Sequence, residues 1–198
     1  MKESDLKLVK KPSFVEDVQF KAGDTNDIIT TIRKADKIAA KERQTVKLAK
    51  ILRGPNDFET CRNIWNWIKK NIPYQADKLG FEKVRLPNRA IYDAANGKGC
   101  DCKSFSVLAV DLLRENGIQA AFRFISQKPQ SEKVTHVYAV AKLANGRIII
   151  VDAVYYAFNT EAKFTFFSDI TAVSNNTDSD AVNGLESINY VNHSIFIL

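Results

Sequence analysis

Gly99-Cys100-Asp101-Cys102-Lys103-Ser104-Phe105-Ser106, continued by Val107-Leu108-Ala109-Val110-Asp111-Leu112-Leu113-Arg114-Glu115-Asn116-Gly117-Ile118, is the stretch from which the fold is best read. Phe105, Leu108, Ala109, Leu112 and Leu113 recur at the three- and four-residue spacing that gathers side chains on one helix face. Gly117 supplies the residue on which such a helix stops. The spacing therefore predicts a core helix over 104–115, with Cys102 at its N-terminal end. There, unpaired N–H groups and the positive end of the helix dipole favour a thiolate. The charge of Asp101 opposes that effect unless its carboxylate turns to cap the helix, which is the expected geometry. Cys100 stands outside the helix and lacks this field.

Working upstream, Asp24 or Thr25 can cap a helix carrying Ile28, Ile32, Ala35 and Ile38 on one face. The stripe weakens through 41–44, resumes at Val46, Ala49 and Leu52, and ends at Gly54-Pro55. Asn56 followed by Glu59 resembles a capping box and opens another helix with Phe58, Cys61, Trp65 and Ile68 on its apolar face, which Pro73 stops. Cys61 reads as a buried hydrophobe within that stripe. Residues 74–98 show no period and carry Gly80, Pro87, Asn88, Asn96 and Gly97, so a long ordered loop is expected. Downstream, strands are expected over 119–125, 134–143 and 147–156, with shorter ones over 164–167 and 194–198 and a polar loop over 174–183. Helices first and strands later make an α+β domain. Residues 1–23 read as an N-terminal arm and 24–198 as one domain.

A cysteine nucleophile needs an imidazole to take and return its proton, and the chain holds two histidines, His136 and His193. His136 lies in one predicted strand and Asp152 in the next, where it interrupts the apolar run 148–154. A buried carboxylate there needs a partner. The turn between these strands decides whether the two can meet. If Asn145-Gly146 alone formed it, Ala144 would face Arg147, and His136 and Asp152 would lie on opposite faces of the sheet. If Ala144-Asn145-Gly146 forms a three-residue loop with Gly146 left-handed, Leu143 faces Arg147 and Tyr138 faces Asp152. His136 and Asp152 then become diagonal neighbours, about 7–8 Å apart at the backbone. The three-residue form is the expectation, and Cys102, His136 and Asp152 are the candidate catalytic set.

Composition narrows the class of protein. With 198 residues and 45% hydrophobic content the chain can bury a full core. Three cysteines, two of them separated by one residue, argue against a disulfide framework. No segment reaches the roughly 18 apolar residues of a membrane span, and no signal-peptide pattern opens the chain, so a cytoplasmic location is expected. The net charge of +6 is spread through helices, which suits a solvated surface better than a nucleic-acid footprint.

At the residues just described the sequence resembles the transglutaminase-like superfamily, whose core is related to papain-like cysteine peptidases. The carriers are Gly99-Cys100-Asp101-Cys102 at the start of an apolar helix that ends in Asn116-Gly117-Ile118, Thr135-His136-Val137-Tyr138, and Ile150-Val151-Asp152-Ala153. Upstream, Ile64-Trp65-Asn66-Trp67-Ile68 and Asn71-Ile72-Pro73-Tyr74 look like the elements that precede the nucleophile in many bacterial members. Counting back from the Gly117 turn selects Cys102 over Cys100. The resemblance covers about residues 57–154. It departs from the family at Cys100 and at Val137-Tyr138, where a small residue and Trp are common. It implies a cysteine protease or amidase acting on a protein or peptide substrate, with hydrolysis favoured over cross-linking and no cofactor. Tyr74 and Asn88, in the segment before the nucleophile, are candidates for the oxyanion or substrate contacts.

Three other readings compete. A transglutaminase-fold module without catalysis would use its cleft to hold a peptide. A metal site of Cys100, Cys102, His136 and Asp152 conflicts with the two to four residues that usually separate paired zinc cysteines. Nucleic-acid binding would fall to Lys7, Lys10 and Lys11, a stretch without interleaved aromatic platforms.

Overall fold

The computed structural model describes residues 3–13, 17–21, 24–78, 81–129, 131 and 133–174. Its elements run α1 (Glu3–Leu6), β1 (Asp17–Lys21), α2 (Thr25–Glu42), α3 (Val46–Leu52), α4 (Asp57–Asn71), β2 (Phe81–Arg85), α5 (Pro87–Ala95) and α6 (Cys102–Glu115). Then follow β3 (Gln119–Ser126), β4 (His136–Lys142), β5 (Ile148–Val151) and β6 (Phe166–Thr171). The strand expected over 194–198 and most of the polar loop before it lie outside the described residues. Among the described residues no helix is long and apolar enough to cross a membrane.

Caps set the helix starts. Asp24 Oδ1 accepts the N–H groups of Asn26 at 2.8 Å and Asp27 at 3.1 Å, and Asn56 Oδ1 accepts that of Glu59 at 2.9 Å. Each bond satisfies a donor that the helix itself leaves without a partner. Helix α2 ends at Arg43, whose left-handed φ of 48° turns the chain into α3. Helix α6 is buried on every side from Lys103 to Arg114. It packs against α2, α3, α4, α5, β2, β3 and β4, which makes it the axis of the domain. Ile32, Ala35 and Ala39 of α2 and Cys61, Ile64 and Ile68 of α4 belong to the core around it.

Two buried carboxylates and a guanidinium lock this helical layer to the far end of the sheet. Arg114 in α6 donates to Asp36 of α2 and to Asp111, both at 2.5 Å. Thr45 donates to Asp111 at 2.6 Å, and Asp36 accepts the backbone N–H of Val173 at 2.8 Å. Burial holds the Asp111 carboxyl up at about 6, against the pull of Arg114 and Thr45.

The sheet is antiparallel throughout, in the order β5-β4-β3-β6. Val137, Ala139 and Ala141 of β4, with Ile149 and Val151 of β5, join the helix-side core. Tyr138, Val140, Ile150 and Ile125 form a second cluster on the opposite face. Helices packed on an antiparallel sheet with Cys102 at the tip of the central helix are the α+β architecture expected.

Several boundaries differ from expectation. Residues 74–98 are not a continuous loop. They include β2, which pairs with β1 from Asp17↔Arg85 to Lys21↔Phe81, and α5. Pro87 sits in the first turn of α5, where its missing N–H costs nothing and its fixed φ helps. The expected N-terminal arm contributes Val9, 8% exposed, to the core, and β1 to the ribbon. Strand β5 stops at Val151 because Asp152 Oδ1 accepts the N–H groups of Val154 at 3.0 Å and Tyr155 at 3.4 Å, turning the chain away from the ladder. The last described strand runs over Phe166–Thr171, beyond the expected 164–167.

Candidate active site

Asp101 caps α6, its carboxylate accepting the N–H of Ser104 at 3.4 Å, so the expected capping geometry is present. That leaves Cys102 as the first helical residue and partly exposed, with the helix N-terminus beneath its sulfur. Ser106, one turn on, has its hydroxyl 2.7 Å from the Cys102 carbonyl and 3.0 Å from the Val137 carbonyl. It thereby ties the first turn of α6 to the start of β4.

The hairpin takes the three-residue form. The pairing runs Ala139↔Val151 to Lys142↔Ile148, the N–H of Leu143 donates to Arg147 at 2.9 Å, and Gly146 adopts φ +82°. Tyr138 therefore stands opposite Asp152, and His136 is the diagonal neighbour of Asp152 on the same face. His136 Nε2 lies 2.7 Å from Asp152 Oδ2. Nδ1 is then the ring nitrogen left without Asp152, and Cys102 is the second group that raises the imidazole pKa. Burial by itself would lower the imidazole pKa, but the bonds to Asp152 and Cys102 outweigh it and push it up to about 10.

The other two thiols are different. Burial pushes Cys61 up to about 12, and Cys100, 2% exposed, also up to about 12 despite its contact with Arg85. Thiols with such values stay protonated at neutral pH and are inert.

Asp152 is fixed at both ends. One carboxylate oxygen holds the turn after β5 and the other holds His136, while its carbonyl accepts the indole N–H of Trp65 at 2.7 Å. Sequence reading placed Trp65 on the core face of α4 and missed this bond, which joins residues 87 positions apart. Lys69, one turn further along α4, donates to the carbonyls of Val154 at 3.0 Å and Tyr155 at 2.9 Å.

Tyr74 reaches the site through a parallel bridge with Cys100, in which Gln75 N–H donates to Cys100 and Cys100 N–H to Pro73. The approach is close enough that a Cβ on Gly99 would lie 2.6 Å from the Pro73 carbonyl oxygen. The Tyr74 ring meets Phe105 edge-on at 6.0 Å and stays 53% exposed. Its phenol pKa is raised by partial burial and then by the charges of Cys102 and Asp101. Asn88 is drawn elsewhere. It is 1% exposed, and its backbone N–H donates to Gln44 Oε1 at 3.3 Å. Gln44 adjoins Thr45, which bonds Asp111, roughly 13 Å along α6 from Cys102.

Lys103 is 6% exposed, and its ammonium contacts Asp101, Glu82 and Asp77. These three carboxylates have the spacing of a cation site, and the lysine supplies the cation. Burial raises the Asp101 carboxyl to about 6, with Lys103 pulling the other way.

A thiol at a helix tip, an imidazole and a carboxylate, carried on a central helix and two neighbouring antiparallel strands, define a papain-like arrangement. The transglutaminase-like superfamily model matches residues 45–153, more than half of the chain, and the protein belongs to that superfamily. No curated protein matches it. Among solved structures it is similar to a candidate protease from Parabacteroides distasonis ATCC 8503, at a TM-score of 0.50 and 12% identity. That match covers 76% of this chain and 30% of the other. A candidate cysteine protease from Cytophaga hutchinsonii aligns at a TM-score of 0.36 and 21% identity, over 64% of this chain and 42% of that one. The first is a likeness of fold, and both matches span less than half of the other protein.

Proposed function

We propose that the protein is a cysteine hydrolase of amide bonds in peptides or proteins, with Cys102 as nucleophile, His136 as general acid and base, and Asp152 as the residue that orients His136. The observation that carries this reading is the 2.7 Å contact between His136 and Asp152, with the partly exposed Cys102 at the N-terminus of α6. An imidazole with its pKa near 10 keeps a proton through neutral pH, as the acid in such a reaction must.

The steps follow from the atoms. With the Cys102 proton already resting on His136 as an imidazolium, the thiolate sulfur attacks the carbonyl carbon, forming an S–C bond and an oxyanion. The backbone N–H of Cys102 stabilises the oxyanion, with the Tyr74 phenol as the second donor. Collapse breaks the C–N bond, and the imidazolium gives its proton to the departing amine. Water then attacks the thioester, losing a proton to His136, and the S–C bond breaks to release the carboxylic acid and restore the Cys102 thiolate beside the imidazolium. An amine in place of water would give transamidation. The partial exposure of Cys102 is compatible with water as acceptor, and hydrolysis is the reading put forward.

The test is labelling by an electrophilic amide mimic. Cys102→Ala should abolish it and Cys61→Ala should leave it intact, since the Cys61 thiol stays protonated. Equal labelling of both variants refutes the assignment.

A further inference from the structure

Tyr138 is buried, 1% exposed, and sits at the joint of the His136–Asp152 pair. It precedes Ala139, the last β4 residue paired with β5, and along β4 it is the next residue on the face of His136. Its ring lies 5.5 Å from the imidazole, tilted by 36°. A tyrosine buried among apolar groups needs a partner for its hydroxyl. Here the phenol donates to Glu161 at 2.5 Å. Glu161 in turn accepts from Arg123 of β3 at 2.8 Å. Arg123 grips Asp169 of β6 through two bonds, at 2.7 and 2.6 Å. The chain Asp169–Arg123–Glu161–Tyr138 thus crosses from the β6 edge of the sheet to the imidazole.

We propose that Tyr138, pinned by Glu161 and Arg123, is a positioning residue that sets the His136 ring against both Asp152 and Cys102, and that this is the task of the half-buried Glu161 carboxylate. The inference rests on the cysteine-hydrolase reading for its consequence in catalysis, but the positioning itself is a property of the fold. His136 and Asp152 are diagonal partners, whose backbones lie farther apart than directly paired residues, so their contact depends on side-chain reach and tolerates rotation of either ring or carboxylate. Tyr138 packs beside the imidazole, its ring 5.5 Å away. A ring held only by apolar packing could shift there, whereas one tethered through its hydroxyl cannot shift without breaking a charge-assisted bond. Tyr138 also accounts for Glu161, since the phenol stands between that carboxylate and the imidazole and leaves Asp152 as the partner of His136. Preorganisation of this kind comes from the groups behind a reacting residue, and small displacements carry a disproportionate cost in rate.

The experiment compares the full-length protein with Tyr138→Phe, Glu161→Gln and the double variant, reading two quantities. The first is the rate of Cys102 alkylation by iodoacetamide across pH. The second is the titration of His136 followed through its imidazole carbon-bound protons, which are simple to assign because the chain has two histidines. Each single change should slow alkylation at neutral pH about three- to tenfold, and the double variant should be no slower, since both break one tether. The His136 titration should move down from that of the parent in all three. Purely additive effects, or alkylation and titration equal to the parent with only a lowered melting temperature, would overturn the proposal. If Cys102 of the parent titrates as an uncoupled thiol, the hydrolase reading fails, and the His136 titration alone decides whether Tyr138 positions the ring. Glu161→Asp, which keeps the charge but shortens the reach, should restore part of the alkylation rate when Tyr138 is present and none of it in a Tyr138→Phe background.

Discussion

His136 holds its proton because of two contacts, and each can be removed singly. In Asp152→Asn the ring loses its carboxylate, so the His136 pKa should fall from about 10 towards its ordinary 6.5, as a titration of its ring protons would record. The same shift bears on stability. A group whose pKa rises on folding stabilises the fold fully below about 6.5, and that stabilisation drains away as pH climbs towards about 10. Urea unfolding should therefore show the parent losing stability across that window, and His136→Gln should flatten the slope. A parent curve as flat as that of the variant would mean that the imidazole is not held as described.

Loop length between β4 and β5 governs the site at the scale of elements. Deleting both Ala144 and Asn145 would leave Leu143-Gly146 as a two-residue turn that pairs Lys142 with Arg147, a register shift of one that sends Asp152 to the other face of the sheet. Circular dichroism should show the strands retained, while Cys102 alkylation at neutral pH should slow. Gly99→Ala should act at the Tyr74–Cys100 bridge. A methyl group 2.6 Å from a backbone oxygen must push the two segments apart, at about 1–3 kcal/mol measured by chemical denaturation.

This hairpin was legible in the sequence because Gly146 and the period of two leave few registers that bury both faces. Helix α6 was equally legible through its apolar spacing and its Asp101 cap. Helix α5 was not, although Pro87 followed by Ala90, Ile91 and Ala94 carries a helical signal. Pro87 and Asn88 were read as turn residues, and in nine residues the pattern has little room to repeat. Strand β2 has one partner, β1, and no local signal of its own. Within the site, the cysteine, histidine and aspartate could be named from chain order, whereas Trp65, Ser106 and Glu161 could not. Their roles arise from contacts between elements distant in sequence, and nothing in a helix stripe or a polar loop marks which residue will meet Cys102, His136 or Asp152.

Across the molecule, the half away from Cys102 is held by the Arg114 network, which ties α2, the α2–α3 turn, α6 and the segment after β6. Removing one member leaves buried charge uncompensated. Arg114→Ala should destabilise the protein by about 3–5 kcal/mol in urea unfolding. The alkylation chemistry of whatever remains folded should be unchanged, because Arg114 lies more than three turns along α6 from Cys102. Loss of Cys102 reactivity in the folded fraction would show that the two ends of the central helix are coupled.

The bond from the Trp65 indole to the Asp152 carbonyl gives the protein an optical reporter of its own. The chain has two tryptophans, Trp65 and Trp67. In a Trp67→Phe background all indole emission would come from a ring hydrogen-bonded to the residue whose carboxylate bonds His136. Under the proposed mechanism, acylation of Cys102 should then change that emission in a stopped-flow trace, so formation and decay of the thioester could be timed without a chromogenic substrate.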